Sequence, residues 1–399
     1  MTHPVIIAGA GIGGLTAALA LAQRGFSVIL AEKAAWLEEV GAGIQLSSNA
    51  THVLAALGVL DAVRSHAFEP QELTIRSARH GGTLAHVPLG ATAADRYGAP
   101  YLLVHRADIQ HALLDAVHAM PAVSLRLGTR VSSVSEEGGK LQVTLAQGVT
   151  PPETLEAHAL IGADGVRSAI RQTILNGPAP VFSGRTAYRA TVPASLIPPQ
   201  FLAGSGIWFG RKAHLVHYPL RQGREFNLVA LVEEDWDAPG WSEPASKENL
   251  LQRFAGWPEP ALNLLRLPDE WLRWALRAVD AGGIWQKGRI ALLGDACHAM
   301  LPFAAQGAAM AIEDGIVLAQ HLAARPDQPA AALQAYVRER QPRTAKVQQT
   351  AATNSTIYHL GLPAALARDT VLRLSSPQSL LQRMDWIYGW RPCTCLSAP

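Results

Sequence analysis

The sequence predicts an α/β protein with a doubly wound parallel sheet, a mostly antiparallel β layer and a C-terminal helical region. Three observations support this fold class. A strand, a helix and a second strand follow one another within about 30 residues at the N-terminus. Short β-like runs, broken by Gly and Pro, fill the region from about residue 180 to 280 without intervening helices. A long helical region then extends to about residue 358.

The N-terminal unit predicts the parallel sheet. "PVIIA" (4–8) is a short buried strand, and "LTAALALAQRG" (15–25) is a helix that ends at Gly25. "SVILAE" (27–32) is the next strand, and a βαβ unit of this length starts a parallel sheet. Further along the chain, "LQVTLAQG" is predicted to be a strand, and "ALIGADG" (159–165) is predicted to be another apolar strand.

The second layer is predicted from "TAYRATVP", "GIWFGR", "AHLVHYPL" and "FNLVALV". Strands that follow one another without helices favour antiparallel pairing. "RIALLGD" (289–295) returns to the pattern of a parallel strand, and the tail "RPCTCLSAP" is predicted to be loose.

Composition excludes several classes of protein. The 399 residues carry a formal net charge of +2 without a cluster of Lys and Arg, which argues against a nucleic-acid or acidic-membrane partner. Three cysteines, Cys297, Cys393 and Cys395, are too few for a disulfide framework and fit a reducing compartment. "MTHPVIIAGAG" enters a strand at once, without the basic and apolar regions expected of a signal peptide, and the apolar runs are of strand length. We therefore expect a soluble cytoplasmic protein, either a monomer or a homodimer.

"GAGIGG" (9–14) places a G-x-G-x-x-G pattern between the first strand and helix, the context that identifies a dinucleotide site. Gly9 is expected to allow the tight turn, Gly11 to let a pyrophosphate approach the backbone, and Gly14 to let the helix pack closely. Glu32 ends the second strand, near the spacing expected of an acid that binds ribose hydroxyls. The pattern predicts a Rossmann-like site for NAD or FAD.

Two later strand ends carry an aspartate. Asp164 follows an apolar strand in "GADGVRSAIR" (162–171), where it could bind a ligand or simply cap the next helix. Asp295 follows another strand in "LLGDACHAMLPFAAQGAAMAIEDG" (292–315), and Gly307 then opens a helix of small residues. A planar ring could lie against the free N–H groups of that helix, which would stabilise negative charge on a reduced flavin. Asp295 would accept a hydrogen bond from a ribitol hydroxyl.

Cys297 and His298 lie inside the same segment and raise the alternative of a nucleophile or metal site. Neither has sequence neighbours at a metal-binding spacing, and a lone Cys after a strand is usually a small buried side chain. We therefore expect the pair to be part of the scaffold, with no metal bound.

Three motifs follow one another along the chain: the glycine-rich pattern (9–14) with Glu32, the segment of Asp164 and the segment of Asp295. Their order resembles that of the single-component flavoprotein aromatic hydroxylases, and the resemblance covers nearly the whole chain. "LLVHRADIQHALL" is similar to the family segment in which an arginine, here Arg106, contacts the cofactor, and "VGAGIQLSSNA" (40–50) is similar to its flavin-side loop. The resemblance implies FAD contacts at Gly9, Gly11, Gly13, Gly14, Glu32, Lys33, Gly43, Arg106, Val131, Asp164, Asp295, Gly307 and Ala308.

The resemblance also implies an activity. Family members use NADH or NADPH and O2 to hydroxylate a small aromatic acid of the hydroxybenzoate, salicylate or hydroxynicotinate type, through a C4a-hydroperoxyflavin. The implied domains are a FAD-binding domain in two parts (1–175 and 286–330), a substrate-binding β domain (176–285) and a C-terminal helical region with its tail (331–399). A halogenase or reductase of the same fold and a flavin-binding regulator without turnover are the alternatives, although the "WxWxIP" signature of halogenases is missing.

Strand alternation in "AHLVHYPL" (213–220) places His214, Val216 and Tyr218 on one face and His217 on the other. The resemblance implies that His214 is the active-site histidine, and a side chain that titrates near neutrality suits removal of a phenolic proton. Further candidate substrate residues are Tyr188, Arg189, Tyr218 and Pro302, of which Arg189 could pair with a carboxylate. Relatives that act on 3-hydroxybenzoate have a Gln at the position of Pro302, so their regiochemistry cannot be transferred.

Overall fold

The structure is a computed structural model that describes residues 3–37, 43–237 and 242–393. Its strands, in chain order, are β1 (Val5–Ala8), β2 (Val28–Ala31), β3 (Gly43–Leu46), β4 (Glu72–Ser77), β5 (Thr83–Pro88), β6 (Leu102–His105), β7 (Val123–Arg126), β8 (Thr129–Glu137), β9 (Lys140–Gln147), β10 (Glu153–Ala157), β11 (Ala159–Gly162), β12 (Val181–Pro193), β13 (Ser205–Gly210), β14 (Ala213–Leu220), β15 (Glu225–Glu233), β16 (Glu243–Ala245), β17 (Trp271–Ala278), β18 (Gln286–Lys287) and β19 (Ile290–Leu292).

The α-helices, in chain order, are α1 (Ile12–Ala22), α2 (Ser48–Ala56), α3 (Leu60–Arg64), α4 (Gly90–Tyr97), α5 (Arg106–His118), α6 (Lys247–Arg253), α7 (Glu259–Arg266), α8 (Asp295–His298), α9 (Gly307–Ala324), α10 (Pro329–Tyr358), α11 (Ala364–Leu374), α12 (Pro377–Gln382) and α13 (Asp385–Tyr388). Within the described ranges, no helix is both long enough and apolar enough to cross a membrane.

A six-stranded sheet, ordered β18-β19-β11-β1-β2-β7, forms the first layer. All its neighbouring strands are parallel except the β18–β19 pair. The strands β1, β2, β11 and β19 are short apolar runs with every residue buried, as expected of parallel strands covered on both faces. Helix α1 begins three residues earlier than predicted, directly after the glycine-rich turn.

An eight-stranded sheet, ordered β16-β17-β12-β15-β14-β13-β4-β5, forms the second layer. Its pairs are antiparallel except for β13–β4. The four predicted strands of this layer are β12 to β15, and they are adjacent to one another in the sheet. Together with the parallel sheet and helices α9 to α13, this arrangement confirms the predicted fold class.

The proposed domain boundaries remain predictions, and one pairing cuts across them. Strands β4 and β5 come from within residues 1–175 but extend the sheet formed mainly by residues 181–278. Of the tail predicted to be loose, residues 391–393 have no regular secondary structure, and 394–399 lie outside the described residues. Residues 40–42 of the predicted flavin-side loop are also outside them.

Candidate active site

The glycine-rich turn lies between β1 and α1, and two of its glycines are required by the protein itself. Gly9 has φ +108°, and a Cβ added there would lie 2.4 Å from the carbonyl oxygen of Ala163. A Cβ added at Gly14 would lie 1.9 Å from the carbonyl oxygen of Gly9. Both distances are far below van der Waals contact, so these residues permit the turn and the close packing of α1.

Gly11 is different, because a Cβ added there would meet no protein atom within 4 Å. Gly307, at the start of α9, is similar, since its Cβ would approach only Asp295 Oδ1 at 4.0 Å. Both glycines line the same cavity. The fold does not require a missing side chain at either position, whereas a ligand that approaches the backbone closely would.

The cavity has a volume of about 320 Å³ and lies between the parallel sheet and the antiparallel sheet. The predicted site residues that line it are Gly11, Gly13, Gly43, Arg106, Arg189, His214, Tyr218, Asp295, Pro302, Gly307 and Ala308. It is also lined by Gln45 and by apolar side chains including Val216, Val229, Leu231 and Met300. The predicted site residues that do not line the cavity are Gly9, Gly14, Glu32, Lys33, Val131, Asp164 and Tyr188.

Glu32 lies beside the glycine-rich turn, outside the cavity. Its carboxylate accepts hydrogen bonds from the backbone N–H of Ala10 at 2.8 Å and of Ala34 at 2.9 Å. Its carbonyl accepts from the N–H of Thr129 at 2.8 Å, which brings the start of β8, and therefore Val131, to this edge of the sheet. Lys33 is exposed. Glu32, Lys33 and Val131 therefore lie together beside the glycine-rich turn, where a nucleotide bound along that turn would extend away from the cavity.

Asp164 and Asp295 both offer free carboxylate oxygens. Asp164 Oδ2 accepts from the N–H groups of Ala169 at 2.7 Å and Ile170 at 3.1 Å, so it does cap the next helical turn. Its Oδ1, however, is buried, and no group of the described residues forms a hydrogen bond with it. Asp295 is exposed at the cavity, and within the described ranges no protein donor reaches its carboxylate. A ligand hydroxyl could satisfy either group.

The N-terminus of α9 points its free N–H groups toward the cavity. Gln306 precedes the helix, but its side chain makes no cap; instead it donates to Ser47 Oγ at 2.9 Å and accepts from Asn49 Nδ2 at 3.2 Å. Gly307 and Ala308 then line the cavity. An 18-residue helix that begins without a side-chain cap presents unsatisfied donors and partial positive charge to a ligand.

Two arginines add positive charge. Arg106 begins α5 and Arg189 lies in β12, and both line the cavity. Neither forms a hydrogen bond or ion pair with a protein group within the described part of the chain. The Arg189 guanidinium lies 5.3 Å from the centre of the Trp274 ring, and its Nε is buried without a partner. Burial lowers the pKa of Arg189, as does the nearby Arg106, although Tyr218 opposes this. Two neighbouring cations without acidic partners favour an anionic ligand.

Strand β14 forms the opposite wall with the predicted alternation. His214, Val216 and Tyr218 line the cavity, whereas His217 is buried between Phe201 and Phe226 on the other face. Neither nitrogen of His217 has a hydrogen-bond partner among the described residues, and burial, with a smaller effect of Arg76, lowers the pKa of His217 to about 3. The strand phase is therefore the one that places His214, not His217, at the cavity.

His214 is 2 % exposed and forms a hydrogen bond that sequence analysis missed. Its Nδ1 lies 2.8 Å from Nε2 of His359, and Nδ1 of His359 lies 3.3 Å from Glu233 Oε1. Nε2 of His214 therefore remains for a molecule in the cavity. Burial lowers the pKa of His214 well below its usual value, and the nearby His359 and Arg185 lower it further. His214 is consequently neutral at pH 7.

Tyr188, one of the predicted substrate residues, does not line the cavity, so its predicted role is corrected. The alternation of β12 that directs Arg189 to the cavity turns Tyr188 into the core on the opposite face of the sheet. Its hydroxyl donates to Glu234 Oε1 at 2.9 Å, and burial, followed by Glu234, raises its pKa to about 12. Tyr218 and Pro302 do line the cavity, and Tyr218 approaches so closely that a Cβ at Gly43 would lie 2.4 Å from its ring.

Cys297, His298 and Asp314 offer potential ligand atoms within 4.8 Å of one another, a proximity that sequence spacing did not reveal. The Asp314 carboxylate, however, already contacts three groups. Its Oδ2 lies 2.6 Å from His298 Nε2 and accepts from Gly294 N–H at 3.0 Å, while its Oδ1 accepts from Arg340 at 2.7 Å. Burial also raises the pKa of the Cys297 thiol, which opposes metal binding by the thiolate. Hydrogen bonding explains this cluster.

The site residues fit FAD. Gly11, next to the N-terminus of α1, leaves room for a pyrophosphate, and Glu32 and the partnerless oxygen of Asp164 can accept hydrogen bonds from hydroxyls. The uncapped start of α9 provides donors for the flavin ring. Together, the parallel sheet, the glycine-rich turn and the cavity define a dinucleotide-binding flavoprotein.

The chain belongs to the FAD binding domain family, which matches residues 2–351. It is 37 % identical to 3-hydroxybenzoate 6-hydroxylase of Polaromonas naphthalenivorans (strain CJ2), over 99 % of this chain and 98 % of that protein. It is 35 % identical to 6-hydroxynicotinate 3-monooxygenase of Bordetella bronchiseptica, over 88 % and 91 %. A solved salicylate hydroxylase substrate complex superposes with a TM-score of 0.82 at 27 % identity, over 97 % and 95 %. The resemblance to flavoprotein aromatic hydroxylases is confirmed, and the protein is an FAD-dependent monooxygenase.

Proposed function

We propose that the protein hydroxylates a small aromatic acid that carries a ring hydroxyl, with NADH as reductant and O2 as oxidant. The observation that supports this most is the composition of one cavity. One side is lined by glycines and a helix N-terminus, and the sheet side by a buried neutral histidine and by an arginine that has no ion-pair partner in the described part of the chain. Bound FAD supplies the reducing equivalents and the activation of O2; the protein binds, orients and deprotonates the substrate.

Arg189 is the proposed partner of the substrate carboxylate. It is a cation on the sheet side of the cavity, and no acidic side chain of residues 3–37, 43–237 or 242–393 pairs with it. A carboxylate there would gain charge-assisted hydrogen bonds and would relieve the cost of a buried unpaired guanidinium. Val216, Val229 and Leu231 provide an apolar surface for the ring.

His214 is the proposed proton acceptor. Nδ1 is engaged with His359, so Nε2 can accept the proton of a ring hydroxyl. Removal of that proton makes the ring electron-rich and so more reactive toward an electrophilic oxygen atom. The apolar side chains Val216, Val229 and Leu231 would limit the contact of water with the reacting ring, and so the unproductive loss of the oxygen as hydrogen peroxide.

A panel of 3-hydroxybenzoate, salicylate and 6-hydroxynicotinate tests the substrate class. Stimulated NADH oxidation together with a product heavier by one oxygen atom identifies the substrate and separates hydroxylation from reduction. Parallel assays with NADPH test the choice of reductant. If the FAD-loaded protein oxidises NADH without converting any acid of the panel, the proposed function is wrong.

Exchange of His214 for Gln tests the base, with His217→Gln on the opposite face of β14 as the matched control. We expect His214→Gln to retain FAD and to lose hydroxylation by roughly 10² to 10⁴, the usual contribution of a general base. NADH oxidation should continue, with the oxygen ending as hydrogen peroxide. His217→Gln should remain coupled; uncoupling by His217→Gln alone would contradict the assignment.

A further inference from the structure

We propose that His359 and Glu233 form a proton relay that connects His214 to solvent. The relay would carry the substrate's hydroxyl proton from the cavity to the protein surface, and the proposal rests on the function given above. His359 and Glu233 would be positioning residues, because His214 is the one member of the relay that lines the cavity and would touch the substrate.

The three side chains form a continuous path from the cavity to the surface. His214 lines the cavity, and its Nδ1 is 2.8 Å from His359 Nε2. His359 is buried, and its Nδ1 is 3.3 Å from Glu233 Oε1. The Glu233 side chain is 33 % exposed, so the path ends at water. The residues come from β14, from the turn after α10 and from the end of β15.

Each proton transfer along this path is balanced. Before reaction, His214 Nδ1–H donates to His359 Nε2, and His359 Nδ1–H donates to Glu233. The substrate O–H bond breaks as a bond forms between the proton and His214 Nε2. The Nδ1 proton of His214 passes to His359 Nε2, and the Nδ1 proton of His359 passes to Glu233 and on to water. Both imidazoles end neutral, in the opposite tautomer, and the substrate is left as its anion.

The charges around the path favour transfer over retention of the proton. Burial makes the largest contribution to the lowered pKa of both histidines, and Arg185 in β12 lowers both pKa values further. Nη2 of Arg185 lies 3.4 Å from Oε1 of Glu233. Arg368 in α11 also lowers the pKa of His359, but it is paired with Asp369, and Glu233 acts in the opposite direction. A base that is buried and of lowered pKa accepts a proton readily only if the proton can leave.

Packing alone does not explain two adjacent imidazoles here. His214 and His359 lie against the rings of Phe303 and Tyr358, an apolar surrounding in which polar side chains are costly unless hydrogen-bonded. Their hydrogen bond satisfies one nitrogen of each ring, and Glu233 satisfies the other nitrogen of His359. The remaining nitrogen, Nε2 of His214, is the one available to the substrate.

The test measures how fast the bound substrate loses its proton. The FAD-loaded full-length enzyme is mixed without oxygen, in a stopped-flow spectrophotometer, with whichever of 3-hydroxybenzoate, salicylate or 6-hydroxynicotinate the wild type hydroxylates. The absorbance of the substrate anion is followed between pH 6 and 9. The variants are His359→Gln, which keeps an acceptor for His214, Glu233→Gln and His359→Ala. Glu234→Gln, next along the chain but bonded to Tyr188, is the matched control.

We expect anion formation to slow at least tenfold in His359→Gln and Glu233→Gln, with FAD content and substrate affinity close to wild type. Added imidazole should accelerate His359→Ala, and Glu234→Gln should behave as wild type. Anion formation at the wild-type rate in His359→Gln would overturn the relay. The relay would also be overturned if His359→Ala forms the anion slowly, loses substrate affinity to the same degree and is not accelerated by imidazole. If the wild type hydroxylates no acid of the panel, the proposed function fails first, and the relay with it.

Discussion

Substitution of Gly11 by Ala should separate cofactor binding from folding. Gly11 has φ −73° and ψ −179°, a conformation open to alanine, and its new Cβ would meet no protein atom within 4 Å. The apoprotein should therefore tolerate the change. A pyrophosphate that approaches the backbone at this position would instead collide with the methyl group.

The expected magnitudes differ between the two measurements. Replacement of a helix N-cap glycine by alanine costs a few tenths to about 1 kcal/mol, partly offset by the lower entropy of the unfolded chain. Loss of one charge-assisted hydrogen bond to a phosphate costs about 1.5–3 kcal/mol. At about 1.4 kcal/mol per tenfold change, FAD should bind Gly11→Ala roughly 10- to 100-fold more weakly.

Titration of apoprotein with FAD, followed by flavin fluorescence, gives the affinity, and denaturant unfolding of the apoprotein gives the stability. Gly14→Ala is the contrasting variant, because its Cβ would lie 1.9 Å from the Gly9 carbonyl oxygen. That overlap should lower apoprotein stability by about 1–3 kcal/mol or more. Wild-type FAD affinity in Gly11→Ala would refute the placement of the pyrophosphate.

Other predictions concern single groups. Asp295→Ala should weaken FAD binding by roughly 1–3 kcal/mol without loss of stability, since no donor among the described residues reaches its carboxylate; unchanged binding would contradict the assignment. Glu32→Gln should weaken FAD binding and also lower stability, because the carboxylate accepts from two backbone N–H groups, and unfolding of the apoprotein measures this. Arg189→Gln should raise the KM for the aromatic acid roughly 10- to 100-fold with normal FAD content; an unchanged KM would exclude the carboxylate pair. For Asp314, burial alone would raise the pKa, but His298 and Arg340 lower it to about 2. The ionised Asp314 should contribute on the order of 2 kcal/mol to the free energy of unfolding above pH 4, and this contribution should be lost as the pH falls toward 2. Asp314→Asn should remove this pH dependence of stability.

Structural features that depend only on residues adjacent in the sequence could be predicted from the sequence. The glycine-rich turn carries its steric requirements locally, so the separate roles expected of Gly9, Gly11 and Gly14 match the space around each glycine. The alternation of β14 likewise assigned the faces of His214 and His217, because a strand reverses its side chains at every residue.

Contacts between distant segments could not be predicted in this way. His359 is 145 residues from His214, and nothing in either segment indicates that the two rings meet. The inclusion of β4 and β5 in the antiparallel sheet depends on the parallel β4–β13 pair, which no local pattern specifies. Tyr188 and Arg189 were both proposed as substrate residues, although adjacent residues of a strand cannot face the same cavity.

The Cys297–His298 pair illustrates how a long-range contact decides the meaning of a local motif. His298 is fully buried and directs Nε2 to Asp314, 16 residues later in α9. The same Asp314 oxygen accepts from the N–H of Gly294, immediately before Asp295. Arg340 of α10 supplies the opposite charge. His298 and Asp314 therefore hold the segment that carries Asp295 against the helix that carries Gly307, so a histidine outside the cavity lining helps to set the distance between the two elements that we expect to bind the cofactor.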